Sequence, residues 1–209
     1  MTKSGMGKFF NDISLSLAGH TKGGPAKVSV VAAGLLGSIN GSAVANVVTT
    51  GSFTIPLMKK TGYSAEFAGA VSAAASVGGQ LLPPIMGAAA FIMAEILGVK
   101  YSEIIVWAAI PALLYYMGIM IQVQLRASKD GLVGVPREQL PRTRDVLKAQ
   151  GHLIIPIVFL LYMLFMSGST VVYAAVLTIG VTILVAALKK TTRMKPKAIA
   201  VSYTHLRAH

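Results

Sequence analysis

The sequence predicts an all-α integral membrane protein in which a re-entrant helical hairpin is followed by a broken transmembrane helix. Three observations carry this. Charge is scarce: 12% of the 209 residues are Asp, Glu, Lys or Arg, against 54% hydrophobic residues, and the mean hydropathy is +0.67. Uncharged stretches run over 28–58, 67–94, 104–125 and 149–188. Each reaches the roughly 20 residues that a spanning helix needs. The first two stretches carry internal breaks rich in Gly, Ser, Asn and Pro.

The net charge of +12 invites a nucleic-acid reading. The basic residues sit at the edges of the apolar runs, as membrane topology requires, so nucleic acid is not an expected partner. With no cysteine, disulfide and thiol chemistry are absent. The first 24 residues lack the apolar core of a cleaved signal peptide. Residues 201–209, from Val201 to His209, resemble a translated sequencing adaptor and are left out of the fold reading. On that reading His205 and His209 have no role, the chain is a fragment, and the protein is expected to continue past Ala200.

Residues 1–27 are read as an interfacial segment. Phe9, Phe10, Ile13 and Leu17 fall near helical spacing, which suits a helix lying in the membrane plane. Gly23-Gly24-Pro25 then breaks the chain, and Pro25 suits a first helical turn.

Residues 28–58 form the expected re-entrant hairpin. As one helix these 31 residues would be about 46 Å long, against a hydrocarbon core of about 30 Å. The break Gly37-Ser38-Ile39-Asn40-Gly41-Ser42 divides them into arms of about 26–37 and 42–59, each expected to be short for a crossing. Lys22 and Lys27 precede the segment and Lys59 and Lys60 follow it, which puts both ends on the cytoplasmic face. Non-helical backbone at membrane depth persists only inside protein or beside water, so such a tip is a ligand-site candidate.

Residues 59–97 are expected to hold a broken crossing helix, with Ser64 as N-cap, Glu66 in the first turn and a break at Gly78-Gly79-Gln80-Leu81-Leu82-Pro83-Pro84. Residues 98–126 give a third element with a kink expected at Pro111. Residues 127–150 give a basic cytoplasmic loop with a short surface helix after Pro141. Residues 151–190 hold two spans joined at Ser167-Gly168-Ser169, and 191–200 begin the next cytoplasmic segment. This arrangement satisfies the Lys/Arg bias at every loop.

No catalytic constellation is present, and the chain is not expected to be an enzyme. Glu95 is read as a structural or interfacial acid, His20 and His152 as isolated boundary residues, and Trp107, Tyr115, Tyr116 and Tyr162 as belt and packing aromatics. What remains is two interrupted elements rich in small polar groups. Unwound carbonyls and Ser, Thr or Asn oxygens can hold a hard cation such as Na+, while half-helix N-termini favour anionic groups. Ser38, Asn40, Gly41 and Ser42 form one tip, with Asn46, Thr49 and Thr50 down its second arm. Ser76, Gly78, Gly79, Gln80 and Pro83 form the other. The Na+ candidates are Ser38, Asn40, Ser42, Gly78 and Gly79. The competing reading is that Gly and Ser here only permit close helix packing.

Three stretches carry a family resemblance: Gly37-Ser-Ile-Asn-Gly-Ser-Ala-Val-Ala-Asn46, Thr49-Thr-Gly-Ser-Phe-Thr-Ile-Pro-Leu-Met-Lys-Lys-Thr-Gly-Tyr63, and Gly78-Gly-Gln-Leu-Leu-Pro-Pro-Ile-Met-Gly-Ala-Ala-Ala-Phe-Ile-Met-Ala-Glu95. Together they resemble the large membrane subunit of tripartite ATP-independent periplasmic (TRAP) transporters, nearest to fused permeases that work with TAXI-type solute receptors. The resemblance implies half of an inverted-repeat, elevator-type secondary transporter in the bacterial inner membrane. It implies a periplasmic TAXI-type solute-binding protein and a small membrane subunit or fused equivalent as partners. The expected substrate is an organic anion, and the coupling ion Na+, with H+ the alternative. In the family the first hairpin and the following broken helix build one cation site and half of the substrate site. Where members often have Ser in the tip, this chain has Asn40. Two other readings compete: a divalent-anion/Na+ symporter-like elevator transporter without a receptor, and a non-transport membrane scaffold.

Overall fold

The computed structural model describes residues 6–136, 138, 140–166 and 171–188. The elements are helices joined by turns and loops, with no strand among the described residues: α1 (Met6–Ala18), α2 (Gly24–Asn40), α3 (Ala43–Lys60), α4 (Ala65–Gly78), α5 (Ala88–Leu97), α6 (Tyr101–Lys129), α7 (Thr143–Gln150), a 3-10 turn (Gly151–Ile154), α8 (Ile155–Phe165) and α9 (Val171–Leu188). The chain divides into two compact units, one of residues 9–148 and one of residues 1–8 with 149–209.

In the first unit the chain doubles back at Gly41. Gly41 adopts φ 62°, a left-handed conformation that glycine reaches without steric cost, and its N–H donates to the Gly37 carbonyl. Ser42 follows in extended backbone, and its hydroxyl accepts the Ala45 N–H at 3.3 Å, capping α3. The break is therefore two residues long, not the six expected. Gly37, Ser38 and Asn40 remain in α2, because the chain turns only where a residue takes positive φ. The arms are correspondingly longer, at 17 and 18 residues. That lies at the lower edge of what crosses a bilayer, so arm length alone no longer argues against a span. The antiparallel pairing still brings Lys27 and Lys59/Lys60 to the same end of the hairpin.

Helix α4 runs parallel to α2 and antiparallel to α3, so the three helices share one seam. Its Ser64 hydroxyl accepts the Phe67 N–H at 3.3 Å, as the sequence predicts. The second break runs from Gly79 to Gly87, three residues past its expected end. Ile85 N–H donates to the Ser38 carbonyl at 2.9 Å and Gly87 N–H to the Gln80 carbonyl at 2.8 Å, which holds these residues out of α5. Helix α6 lies antiparallel to α4 and continues through Pro111 for 29 residues, running three residues past the expected end at 126. The core joins Ala26, Val30 and Ala33 of α2, Met58 of α3, Ala68, Val71 and Ala75 of α4, and Val123 and Ala127 of α6. These are mostly small side chains, which let helix backbones approach closely. Tyr63, in the turn before α4, is buried beside them. Burial, with the charge of Asp130 second, pushes its hydroxyl above the ordinary tyrosine range.

Helix α1 buries Phe9 and Phe10 but leaves Leu17 exposed. The loop after it is pinned where Val135 N–H donates to the Gly19 carbonyl at 2.8 Å. The surface helix expected after Pro141 is α7. Ser16 and Thr143 hydroxyls lie 3.1 Å apart, tying α7 to α1.

In the other unit, α8 and α9 pack together and are apolar along their lengths. Among the described residues, Tyr101–Lys129 and the continuous stretch Thr143–Phe165 are long and apolar enough to cross a membrane. Ala88–Leu97 and Tyr173–Val185 are shorter apolar helices. The expected junction at Ser167–Ser169 and the segments 191–200 and 201–209 lie outside the described residues, as do His205 and His209.

Candidate functional site

The two breaks dock on one another. A Cβ on Gly37 would lie 2.6 Å from the Gly79 Cα, and a Cβ on Gly41 would collide with the Met86 carbonyl. Such approaches between backbones tolerate no side chain. Gln80 Nε2 donates to the Gly41 carbonyl at 3.3 Å, and the Ser38 carbonyl receives Ile85 N–H. Four helix ends thereby converge. The carbonyl ends of α2 and α4 meet at Gly37 and Gly79, and the N–H ends of α3 and α5 meet beside Gly41 and Gly87. One side offers partial negative charge to a cation, the other partial positive charge to an anion.

Asn46 sits at the centre of this junction, fully buried. Its Nδ2 donates to the Ala33 carbonyl at 2.7 Å, and the amide is wedged between Gly37 and Gly79. Its Oδ1 has no partner, nor do the buried hydroxyls of Ser76 and Ser72. Buried polar atoms are almost always satisfied, so unpaired oxygens on one seam are notable. They are neutral, hard donors of the kind a Na+ ion takes. Among the described residues there is no cluster of His, Cys, Asp or Glu that could hold a metal ion.

The other residues anticipated for the site divide clearly. Ser38 is buried, with its hydroxyl returned to the Leu35 carbonyl at 3.0 Å. Asn40 turns its Oδ1 to the Ser42 N–H at 3.0 Å, closing the tip. Ser42 is used as a cap. Thus Asn40 and Ser42 shape the turn with the very oxygens expected to face an ion. Gly78 packs against the Tyr115 ring, and Gly79 against Gly37. Pro83 lies in the second break, joined to Pro84 by a cis peptide. Thr49 is not brought into the junction: its hydroxyl goes back to the Ala45 carbonyl at 2.7 Å. Thr50 is buried and bonds the Asn46 carbonyl at 2.8 Å.

Sequence reading missed two groups. The first extends the polar seam: Thr54 bonds the Thr50 carbonyl at 3.0 Å, and Ser29 of α2 donates to the Thr54 hydroxyl at 3.0 Å. Asn46, Thr50 and Thr54 recur every four residues, as do Ser72 and Ser76, a helical-face signal that was available. The second group is a set of tyrosines on α6. Tyr116 donates to the Ala75 carbonyl at 2.7 Å and Tyr115 to the Ala74 carbonyl at 3.0 Å, both in the last turns of α4. Tyr101 reaches the other side of the same break, bonding the Pro84 carbonyl at 3.1 Å and also the Ile85 carbonyl. Tyr115 and Tyr116 are therefore more than belt and packing residues: they brace the broken helix through its backbone. Their partners lie about 41 residues away, a pairing that no local pattern encodes.

Comparison with known proteins follows the same lines. A family model described as the DctM component of tripartite ATP-independent periplasmic transporters matches residues 1–206. The match runs into 201–206, so it gives no support to a foreign tail. The chain is 30% identical over 149 residues, 71% of its length, to the C4-dicarboxylate TRAP transporter large permease protein DctM of Vibrio cholerae, covering 32% of that protein. It is 25% identical over 146 residues, 70% of its length, to the 2,3-diketo-L-gulonate TRAP transporter large permease protein YiaN of Escherichia coli, covering 33% of it. It is 29% identical over 143 residues, 67% of its length, to the sialic acid TRAP transporter permease protein SiaT of Haemophilus influenzae, covering 23% of it. The chain spans about a third or less of the length of these curated relatives. Since the family match takes in nearly all of the sequence, the chain belongs to the DctM family of tripartite ATP-independent periplasmic transporters.

Proposed function

We propose that this chain supplies the first cation site and half of the substrate site of a receptor-dependent secondary permease of the bacterial inner membrane. The full-length protein takes up an organic anion from a periplasmic TAXI-type solute-binding protein, with a small membrane subunit or a fused equivalent, and draws on a Na+ gradient. H+ coupling is the less favoured alternative, because no titratable side chain stands at either break. The hairpin α2–α3 enters from the cytoplasmic face and returns to it, and the unit moves in an elevator-type cycle.

The observation that carries this reading is the docking of the two breaks around the unpaired Asn46 Oδ1. Carbonyl ends and neutral oxygens gather there without fixed charge. That suits a monovalent cation bound transiently, since conduction and transport need binding that is also released. The neighbouring N–H ends of α3 and α5 suit a carboxylate. The solutes named for the relatives are all organic acids, in keeping with an anion.

The test is uptake by the full-length permease and its receptor in proteoliposomes, with Na+ and H+ gradients imposed separately. Uptake driven by Na+ and abolished by Asn46→Leu or by Ser38→Leu, with the protein still folded in detergent, supports the reading. Uptake that persists in these variants with unchanged Na+ dependence overturns the site. Uptake driven by H+ alone overturns the choice of ion.

A further inference from the structure

We propose that the groove between α1 and the C-terminal third of α6 binds an anionic phospholipid, its headgroup at Lys27 and one acyl chain along α6. The groove has a volume of about 490 Å3, within the roughly 300–1,000 Å3 of ordinary ligand sites. Leu17 of α1 and Met120, Ile121 and Leu125 of α6 form its apolar body, and Lys27 and Gln124 lie on its polar side. Leu17, Ile121 and Leu125 are each more than half exposed.

Charge decides the class of occupant. Lys27 is the one ionised side chain lining the groove, and no ion pair engages it among the described residues. Its ammonium sits on a four-carbon stem that can lie along the apolar wall and present the charge at the edge. Lys22, exposed in the turn before α2, is a further basic residue five positions away in the chain. A second groove of about 480 Å3, between α4 and α6, lacks this feature. Its neighbouring cation, Arg126, is already paired to Asp130 at 2.6 Å and stacked 5.5 Å over the Phe67 ring. A zwitterionic lipid satisfies the apolar wall of either groove, but its own ammonium offsets its phosphate. A net-anionic headgroup has no internal cation and leaves its full charge to Lys27. Basic pockets between helices at the cytoplasmic side of membrane proteins recognise such headgroups.

This inference rests on the membrane reading but not on the ion site. Recovery of the full-length permease from the membrane fraction tests that reading first. The delipidated protein is then titrated with dioleoylphosphatidylglycerol or dioleoylphosphatidylcholine, and bound lipid is counted by native mass spectrometry. The expected result is tighter first binding of phosphatidylglycerol by about fivefold, the worth of one lysine at an anionic headgroup. Lys27→Gln abolishes the preference, Lys27→Arg retains it, and Lys60→Gln, away from the groove, leaves it unchanged. Ile121→Trp fills the groove and weakens first binding of both lipids. Equal binding of the two lipids by the wild-type protein overturns the proposal. So does a preference that survives Lys27→Gln, or binding that is indifferent to Ile121→Trp in a protein with unaltered thermal unfolding.

Discussion

Helices α3 and α6 are both rich in apolar residues, yet they treat their surroundings in opposite ways. Helix α3 buries Asn46, Thr50 and Thr54 and leaves Val44 and Val48 exposed. Helix α6 turns Val106, Trp107, Ile110, Leu113 and Leu114 outward and buries six of its 29 residues, among them Ala112, Val123 and Ala127. In water α3 would be inside out. In a lipid solvent apolar groups gain nothing by leaving the surface, so helix association falls to small residues and to hydrogen bonds. The lesson is that α3 contributes polar specificity to the bundle and α6 contributes length and bracing. The tyrosines of α6 are where the two roles meet.

The contrast breaks most severely at the backbone crossings. Gly37→Leu forces a side chain onto Gly79, and a destabilisation of at least about 3 kcal/mol is expected, the upper range for overpacking. Thermal unfolding of the full-length permease in detergent, compared with Gly118→Leu on an open face of α6, measures it. A Gly37→Leu protein as stable as the control would mean the breaks do not dock.

Asn46→Leu comes next. It leaves the Ala33 carbonyl without its side-chain donor, at an expected cost of about 1–3 kcal/mol. Val48→Leu, a change on the opposite face of the same helix, should stay within about 0.5 kcal/mol. Equal losses in the two variants would erase the distinction between the faces of α3.

Tyr116→Phe removes one hydroxyl from the Ala75 carbonyl and should cost about 1 kcal/mol, with Tyr115→Phe similar and Trp107→Phe near zero. Hydrogen exchange at the end of α4 should rise in the first two and not in the third. If exchange there does not change, α6 does not brace the break. The smallest effect is the pair Ser29–Thr54. A double-mutant cycle of Ser29→Ala with Thr54→Val should give a coupling of about 0.6 kcal/mol, the average for side-chain hydrogen bonds between membrane helices. A coupling near zero would reduce the seam to Asn46 and its neighbours.

Much of this was readable in one dimension. The doubling-back within the Gly37–Ser42 break, the Ser64 cap, the second break and the helix after Pro141 follow from Gly, Pro and Ser placed beside apolar runs; the cap made by Ser42 was not anticipated. Their signals are local, and local chemistry made the elements. The size of the breaks was not readable. Gly37 and Ser38 look like loop residues in sequence but stay helical, because close packing against Gly79 uses their small size rather than their flexibility. Residues 85–87 look like the start of a helix and stay out of one, because Ser38 and Gln80 claim the Ile85 and Gly87 N–H groups and Met86 takes a positive φ of 56°. Thr49 and Thr50 are neighbours in sequence with the same side chain. A turn of 100° per residue sends one to the surface and the other into the seam.

The amino-acid sequence by itself determined that the chain is helical and apolar, where it turns, and which residue types are available to bind an ion. These depend on hydropathy, capping and backbone freedom, which act within a few residues. Only the tertiary structure decided that the two breaks share one junction, that the Asn46 Oδ1 stands unpaired within it, and that three tyrosines of α6 hold its rim. Those facts depend on contacts between residues some 13 to 41 positions apart. The packing of small residues fixes such contacts, and hydrophobicity along the chain does not record them.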